Sequence, residues 1–442
     1  MQGSASSSQE SPQLLRAIGR WSLAALTVNS IIGSGVFGLP SLIAGLVGRA
    51  SPWAYLIAAA GMGIIMACFA EVASRFTGAG GPYLYARVAF GRFLGIQMGW
   101  LSWLVRVAAA AANANLFTIY LAEFWPHAKD PLPRVLVLTA LIGVITAINY
   151  RGVKAGTQVS NLFTAGKLIP LAILIVAGLG YLAMGHHAVS QPVVHAGADA
   201  WLQATLLLVF AYGGFEGALM PLGEAKDPQR DAPFALFTAL ATCTLIYTLI
   251  QVVVMAVLDN PQATDRPLAI AADRILGPAG GSLIALGAMV SVYGYLAAHM
   301  INAPRLTFAL AEHRDIPQLF ARIHPRFRTP TVSILMFAVA VWAMAFWGNF
   351  KWNVILSAAS RLFTFAVVCA AVLQLRRTQP GRAAFRLPAG VFFALFGIAF
   401  SLVLVTRMGR KEFLILLATA VISFLNWLWA RLRQTDHLET AD

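Results

Sequence analysis

Apolar stretches of about 20 residues alternate with short polar segments along almost the whole chain. A helix of about 20 apolar residues is long enough to cross the hydrocarbon core of a bilayer. The pattern therefore predicts an all-α integral membrane protein with twelve transmembrane helices. The predicted spans lie near residues 21–47, 54–74, 94–124, 133–149, 157–184, 201–222, 232–258, 281–311, 331–347, 352–374, 389–406 and 412–430.

Glycine clusters interrupt two of these spans. Span 1 contains VNSIIGSGVFGLP, span 6 contains VFAYGGFEGALMP, and 179 residues separate Ser34 from Gly213. Close helix packing also selects glycine in membranes. Both clusters, however, fall in the first span of a block of five spans, 21–184 and 201–374. Interrupted helices at corresponding positions of two halves are typical of transporters built from inverted repeats.

This symmetry predicts the organisation of the chain. A block of five spans reverses direction across the membrane when it is repeated, so the second block is expected to be inverted. The predicted units are a disordered cytoplasmic tail (1–20), a first five-helix repeat (21–184), an inverted second repeat (201–374), two additional helices (389–430) and a cytoplasmic tail (431–442).

Charged residues are scarce, at 11% of 442 residues against 59% hydrophobic residues. A soluble domain carries about 25% charged residues, so a soluble protein is excluded. The net charge of +14 would indicate nucleic acid binding in a soluble protein, but here the basic residues lie in loops. Of the 32 basic residues, 20 fall on the side of both termini and 9 on the other. The positive-inside rule then predicts cytoplasmic termini in a plasma membrane, such as a bacterial inner membrane.

Three cysteines, Cys68, Cys243 and Cys369, lie inside apolar spans without CxxC spacing. They are predicted to be buried thiols, so neither a disulfide framework nor a metal site is expected. Histidines 186, 187 and 195 in an external loop give only weak support for metal binding. The sequence contains neither HExxH nor GxSG, so a membrane-embedded hydrolase is disfavoured and no cofactor is expected.

The two interruptions predict binding sites of opposite charge. In span 1, the helix that begins at Gly33, Ser34 and Gly35 would present unpaired N–H groups at mid-membrane, which favour an anion. In span 6, the first half ends near Phe210 and Ala211 with unpaired carbonyls, which favour an ammonium group. The two sites together match the α-carboxylate and α-amine of an amino acid.

Five segments, in order over roughly residues 20–380, resemble the amino acid–polyamine–organocation permeases. They are IIGSGVFGLP, GAGGPYLYARVAFG, NLFTAGKLIPLAI, FAYGGFE and NAPRLTFALAEHRDIPQLFARIHPRFRTP. The resemblance implies the leucine-transporter-type fold of five plus five plus two helices, and FAYGG and FTAGKL look most like L-type neutral amino acid transporters. It further implies that the substrate contacts the backbone in both interruptions, with Phe210 as a gate over it. These positions are Ile32, Gly33, Ser34, Gly35, Phe210, Ala211 and Gly213.

Ionisable residues inside spans are costly and indicate function. Lys167 in span 5 either ties the backbone at the span 1 break or, because burial disfavours its charge, carries a proton. The resemblance favours the second role, since sodium-independent members have a lysine here, in the place where sodium-coupled relatives hold a cation. Glu216 either braces the span 6 break or titrates during transport. Its charge departs from the L-type pattern and resembles the arginine–agmatine and cationic amino acid branches.

Four further polar groups and one histidine lie in the spans. Arg106 and Arg361 are each candidates for pairing with a carboxylate such as that of Glu216. His299 is expected near the substrate and Lys167, as a coupling residue or a hydrogen-bonded packing residue. Asn113 and Asn115 either line the pocket or bond between helices.

The sequence thus favours a sodium-independent secondary transporter for a small or medium neutral L-amino acid, with exchange and proton symport as the two alternatives for coupling. The neutral substrate is favoured because no constellation for a second substrate charge is visible. A cationic amino acid or polyamine exchanger is the closest alternative, and a channel is less favoured. Expected partners are the amino acid and the lipid bilayer. No nucleic acid is expected, nor a disulfide-linked subunit, because no external loop contains a cysteine.

Overall fold

The computed structural model describes residues 18–76, 81–152, 157–186, 195–219, 222, 224–381 and 383–439, with backbone only for 157–162 and 433–439. These residues are almost entirely helical. Within them there is no β-strand, only an isolated bridge between Ile18 and Ala225.

The described ranges contain sixteen α-helices. They are α1 (Arg20–Ile31), α2 (Gly35–Val47), α3 (Ser51–Ala73), α4 (Gly81–Phe90), α5 (Arg92–Leu121), α6 (Pro131–Tyr150), α7 (Thr157–Ala183), α8 (Ala198–Tyr212), α9 (Phe215–Ala218), α10 (Pro228–Val257), α11 (Pro267–Leu276), α12 (Pro278–Glu312), α13 (Thr331–Trp347), α14 (Phe350–Thr378), α15 (Gly390–Val405) and α16 (Arg410–Glu439). Short 3-10 turns lie at Gly48–Ala50, Pro126–Lys129, Pro261–Ala263 and Gln318–Ala321.

Eight helical segments in the described ranges are long and apolar enough to cross a membrane, when α2 and α3 are taken as one segment. Two shorter apolar helices, α13 and α15, follow the same pattern. The predicted spans near 21–47 and 201–222 are interrupted, as the glycine clusters predict. Two short helices between spans, α4 and α11, are additional to the prediction, and α16 continues beyond the predicted end of span 12.

Burial separates the central helices from those at the periphery. In the apolar window of α5, 83% of residues are buried, whereas in that of α16 only 17% are. The exposed positions of outer helices carry large apolar side chains such as Leu136 on α6 and Leu425 on α16. Lipid tails are a suitable solvent for such surfaces, so α5, α14 and α3 form the interior.

Helices at corresponding positions of the two predicted blocks pack against each other. The first spans meet through α2 and α8, the second through α3 and α10, the third through α5 and α12, and the fourth through α6 and α13. The interior helix α14 also packs on both α5 and α8. This arrangement places the two interruptions face to face at the centre.

Candidate functional site

The interruption of span 1 exposes backbone donors at the start of α2. Helix α1 ends at Ile31 and α2 begins at Gly35. Among the described residues, the N–H groups of Gly33, Ser34 and Gly35 make no backbone hydrogen bond. The Ser34 hydroxyl is fully buried and also lacks a partner within the described ranges. Buried donors are normally satisfied, so this group of donors indicates a place for a ligand with acceptor oxygens.

The interruption of span 6 depends on two consecutive glycines. Helix α8 ends at Tyr212, Gly213 is extended, and Gly214 has a φ of +108° before the four-residue helix α9. A side chain at Gly214 would be strained by that φ and would also collide with the carbonyl oxygen of Ser30. The chain can therefore make this turn against α1 only with glycine.

The two interruptions are in direct contact. A Cβ atom at Gly35 would lie 3.0 Å from the Cα of Ala211, so the start of α2 packs on the end of α8. The Tyr247 hydroxyl of α10 lies 3.3 Å from the carbonyl oxygen of Ile31 and 3.2 Å from that of Ala211. One side chain thus touches the last turns of both broken helices.

Lys167 of α7 caps the end of α1. Its ammonium donates to the carbonyl oxygens of Asn29 at 2.8 Å and Ile32 at 2.7 Å, and the residue is 5% exposed. These carbonyls lack helical partners because the helix stops at this point. Lys167 thus tethers α7 to the end of α1, which is one of the two roles that the sequence left open. The other role, proton coupling, stays a prediction.

Glu216 of α9 and Arg361 of α14 form a buried ion pair. Arg361 Nε donates to Glu216 Oε1 at 2.6 Å, and the other carboxylate oxygen accepts the Gly214 N–H at 2.9 Å. The guanidinium lies against Gly213, where a Cβ would collide with it. Glu216 therefore braces the interruption, and of the two arginines that were candidates for its partner, Arg361 makes the direct contact.

Arg106 of α5 joins this group of charges. Its Nη1 donates to the Ser102 carbonyl oxygen at 2.8 Å, and the guanidinium interacts electrostatically with Glu216, Arg361 and Tyr295. The Tyr295 side chain of α12 also interacts electrostatically with Arg361. We call Arg106, Arg361, Glu216, Tyr295 and His299 the charge cluster.

His299 belongs to the charge cluster. Its ring stacks on Tyr295 with 4.0 Å between centroids, and its Nδ1–H donates to the Tyr295 carbonyl oxygen at 3.1 Å. The ring also interacts electrostatically with Arg106 and Arg361. The expectation of proximity to Lys167 therefore finds no support in the described contacts.

Comparison with protein families matches residues 18–428 to the model of an amino acid permease family. The chain belongs to the amino acid permease family. The permease is accordingly a multi-pass membrane transporter, not an enzyme, and the resemblance to amino acid–polyamine–organocation permeases is confirmed.

Individual relatives differ in their named substrates. The methylthioribose transporter of Bacillus subtilis is 27% identical over 87% of this chain and 86% of its own length. The serine/threonine exchanger SteT of the same species is 29% identical over 87% and 89%. The vacuolar cationic amino acid transporter 4 of Arabidopsis thaliana is 27% identical over 83% of this chain and 64% of its own length. Similarity at this level therefore supports transport without choosing the substrate.

Three further predicted site residues, Phe210, Asn113 and Asn115, differ in their surroundings. Phe210 is buried in the last turn of α8, and its role as a gate stays a prediction. Asn113 donates to the Ala109 carbonyl oxygen of its own helix at 2.8 Å. The Asn115 side-chain oxygen accepts from Arg134 of α6 at 2.7 Å, so Asn115 bonds between helices.

Tyr295 and His299 lie on a face of α12 that reaches the protein surface. Ala298, Asn302 and Arg305 are exposed, and their spacing of three or four residues places them on that same face. Asn302 and Arg305 are unsuited to a lipid environment. The face indicates a water-accessible approach to the charge cluster from the C-terminal end of α12, which the predicted topology places in the cytoplasm.

An acidic group at the C-terminal end of α12 joins elements around this approach. The fully buried Asp315 accepts hydrogen bonds from Tyr83 and Arg87 of α4, each at 2.8 Å, and from Arg92 of α5 at 2.7 Å. Burial, with the Asp315 carboxylate nearby, raises the pKa of Tyr83 to about 12. Sequence reasoning missed this network, although GPYLYAR and EHRDIP carry its residues.

Glu71 at the end of α3 holds a second network. Its carboxylate accepts from Arg75 at 3.1 Å, from Arg376 at 2.8 and 2.6 Å, and from the Leu387 N–H at 3.0 Å. The chain between α14 and α15 is thereby fixed to the end of α3. Glu71 is fully engaged and lies apart from the interruptions.

Other features of the permease lie away from this centre. A cleft of about 660 Å³ between α6 and α13 has a mainly apolar lining that includes Ile142, Leu335 and Trp342. The three cysteines are buried free thiols, as predicted. No group of three or more potential metal ligands is found within the described ranges. His187 lies outside those ranges, and His186 and His195 are exposed.

Proposed function

We propose that the permease is a sodium-independent secondary transporter that moves an L-amino acid by alternating access. The α-carboxylate binds the backbone N–H groups of Gly33, Ser34 and Gly35, and the α-ammonium binds carbonyls at the end of α8, including those of Phe210 and Ala211. The observation that carries this proposal is the contact between two interrupted helices, with a buried Ser34 hydroxyl at one of them that has no partner among the described residues.

An inverted repeat of twelve spans fits the helix pairing. The contacts of α2 with α8, α3 with α10, α5 with α12, and α6 with α13 join spans at the same position of each block. In transporters of this kind, the substrate lies at the interface between the repeats, and one repeat moves against the other. With twelve spans, both termini lie on one side, which we assign to the cytoplasm from the distribution of basic residues.

Sodium independence is supported by Lys167. Its ammonium already occupies carbonyls of Asn29 and Ile32 that could otherwise coordinate a cation. A buried amine between two such carbonyls is also placed to take up or release a proton as the site opens, so proton coupling through Lys167 is part of the proposal. Glu216 and His299 are less suited to coupling, since Glu216 is engaged by Arg361 and the His299 ring is stacked on Tyr295.

The cationic alternative loses its support. It required Glu216 as the acceptor of a second positive charge, but that carboxylate is paired with Arg361 and with the Gly214 N–H. Glu71, the buried acidic residue at the end of α3, is held by two arginines. The neutral substrate stays a prediction. Its premise was that no group of charges for a substrate side chain is visible in the sequence, whereas the structure brings two arginines together beside the interruptions.

Uptake into proteoliposomes tests the proposed function. Purified protein is reconstituted, and uptake of labelled glutamate, serine, leucine and lysine is measured with sodium or choline outside, with and without a pH gradient, and with empty or preloaded vesicles. We expect uptake of at least one amino acid that does not depend on sodium. Uptake only by preloaded vesicles shows exchange, and pH-driven uptake into empty ones shows proton symport. If none of the amino acids is taken up under any condition, the proposal is wrong.

A further inference from the structure

The cleft between α6 and α13 opens toward the surrounding lipid. On α6 the lining residues Thr139, Gly143 and Ala147 are exposed, and their spacing of four residues places them on one face of the helix. On α13 the exposed Leu335 and Val339 line the opposite wall. The volume of about 660 Å³ falls within the range of small-molecule sites, about 300–1,000 Å³. The cleft therefore has room for a ligand that arrives from the bilayer.

Polar side chains in the lining are already paired within the protein. Trp342 Nε1 donates to the Thr139 hydroxyl at 2.9 Å, which joins the two helices across one end of the cleft. The Thr146 hydroxyl donates to the Ile142 carbonyl oxygen at 2.6 Å. A polar ligand would lose its hydration here without gaining new partners. The body of the cleft is therefore suited to a hydrocarbon chain.

The length of the cleft matches one leaflet of a bilayer. Its lining runs along α6 from Thr139 to Arg151, which is twelve residues, or about 18 Å at 1.5 Å per residue. The hydrocarbon core is about 30 Å thick, so one leaflet contributes about 15 Å. We call the end at Arg151 the mouth of the cleft, and the predicted topology places it on the cytoplasmic side. A hydrocarbon chain of the inner leaflet would thus extend from the mouth to about the midplane.

The mouth is positively charged. Arg151 lines it, and the Arg326 guanidinium lies over the ring of Phe327, another lining residue, 5.7 Å from its centroid. Both arginines are exposed. Neither α6, α13 nor the loop 322–330 contains an acidic residue, and Asp315, which precedes that loop, is held by arginines of α4 and α5. A phosphate group at the mouth would therefore meet guanidinium groups, which bind phosphate well.

Contacts between α6 and the loop before α13 hold the mouth together. The Thr329 hydroxyl donates to the Tyr150 carbonyl oxygen at 2.8 Å. The Tyr150 ring also meets the rings of His324 and Phe327 edge-on, with 5.6 and 5.8 Å between centroids. The chain segments that carry the two arginines are thereby fixed to each other before any ligand binds, which lowers the entropic cost of binding.

We propose that the cleft binds an anionic phospholipid of the inner leaflet, with one acyl chain between α6 and α13 and the phosphate beside Arg151 and Arg326. Basic pockets between transmembrane helices on the cytoplasmic side are typical sites for anionic lipid headgroups. The two helices are the fourth spans of the two predicted blocks, so the lipid contacts both blocks. The site is separate from the interruptions and does not depend on which substrate is transported.

Binding of two matched lipids to the purified protein tests the proposal. Delipidated protein in detergent is titrated with dioleoyl phosphatidylglycerol or dioleoyl phosphatidylcholine, which share their acyl chains and differ in net charge. Bound lipid is measured by native mass spectrometry. We expect the anionic lipid to bind about 30-fold more tightly, from roughly fivefold for each arginine. Joint replacement by Arg151→Gln and Arg326→Gln should remove this preference, whereas Arg377→Gln, at an exposed position near the end of α14, should keep it.

A glycine in the lining allows the cleft to be filled. A Cβ at Gly143 meets no atom within 4 Å, so Gly143→Phe places its ring in the cleft without a backbone clash. We expect this variant to lose both lipids from the site. Gly180→Phe on α7 is the matched control, because Gly180 is also exposed, has equally open space around its Cβ and lies outside the cleft.

The outcomes are distinct. Equal affinity for the two lipids, or an unchanged preference in the double arginine variant, overturns the proposal, as does full retention of lipid in Gly143→Phe. A phosphatidylglycerol with a diazirine in one acyl chain then locates the site in the wild-type protein. Crosslinks to peptides of α6 and α13 support the proposal, and crosslinks confined to other helices contradict it, so these decide if the double variant does not fold. None of these measurements requires transport, so this site and the proposed function can fail separately.

Discussion

The ammonium nitrogen of Lys167 lies 2.7 Å from the carbonyl oxygen of Ile32, the residue at which span 1 leaves its helical path. The same nitrogen donates a second hydrogen bond of 2.8 Å to the carbonyl oxygen of Asn29. Helix α7 is thereby joined to the end of α1 by an ammonium group, and removing this group would leave a buried and a partly buried carbonyl without it. In the proposed alternating access, this part of the chain changes its surroundings, so the contact would have to change during transport.

Lys167→Met should therefore abolish most transport and weaken the fold. Each buried acceptor left unsatisfied costs about 1–3 kcal/mol, and the two carbonyls would be affected together. The measurements are uptake into proteoliposomes at several pH values and thermal unfolding of the purified protein. Lys351→Met, at an exposed position, serves as the control. Wild-type uptake with an unchanged pH response in Lys167→Met would remove the lysine from the mechanism.

Gly214→Ala should be much more damaging than Gly217→Ala, three residues away. At Gly214 the φ of +108° and the Ser30 carbonyl oxygen both oppose a side chain, whereas a Cβ at Gly217 meets no atom within 4 Å. Strained backbone of this kind costs about 1–3 kcal/mol. Thermal unfolding and uptake of the two variants are compared side by side. Equal behaviour would mean that the turn after α8 is not as tight as described.

Replacing both members of the Glu216–Arg361 pair should disturb the fold less than replacing either one. A lone buried charge costs about 3–5 kcal/mol, while a matched apolar pair can be nearly neutral. Unfolding of Glu216→Leu, Arg361→Leu and the double variant forms a double-mutant cycle. We expect the double variant to unfold at a higher temperature than Arg361→Leu. Strict additivity of the two single effects would contradict a direct interaction. Transport is expected to fail in all three, since both residues adjoin the substrate site.

The contact between Tyr83 and Asp315 predicts a pH dependence. The pKa of Tyr83 rises from 10.0 to about 12 on folding, so the protonated hydroxyl stabilises the native state. This contribution is complete below pH 10 and is lost as the pH rises through about 12. The difference in unfolding temperature between wild type and Tyr83→Phe should accordingly shrink from pH 10 to pH 12. Tyr181→Phe on α7, a partly exposed tyrosine, is the control. A difference that stays constant over this range would contradict the assignment.

The two interruptions could be predicted from the sequence because glycine clusters are a strong local signal and their spacing relates the two halves. The direction of each broken helix then predicts which backbone groups are free at the centre. The depth of Lys167 in span 5 follows from the sequence, and the family resemblance implies its place beside span 1. Helices α4 and α11 could not be predicted, since each is only 10 residues long and falls below the length that an apolar pattern reveals.

The pairing of Glu216 with Arg361 could not be predicted from the sequence. Arg106 and Arg361 looked equivalent, because both are single arginines in long apolar helices, and their order in the chain gives no distance to Glu216. The contacts of His299 with Tyr295 could not be predicted from the sequence either. Counting residues gives depth along α12, whereas the side of the helix that His299 shares with Tyr295 depends on its rotation, which only packing fixes.

The Tyr247 hydroxyl, described above between the carbonyls of Ile31 and Ala211, has a single hydrogen to give. While the two interruptions stay together, both carbonyls can share it. When they separate, one carbonyl must keep the bond and the other must find water or substrate. Opening of the centre would then be asymmetric, because only one of the two carbonyls keeps the Tyr247 hydrogen bond. The same hydroxyl would thereby couple a change in one half of the molecule to the other half.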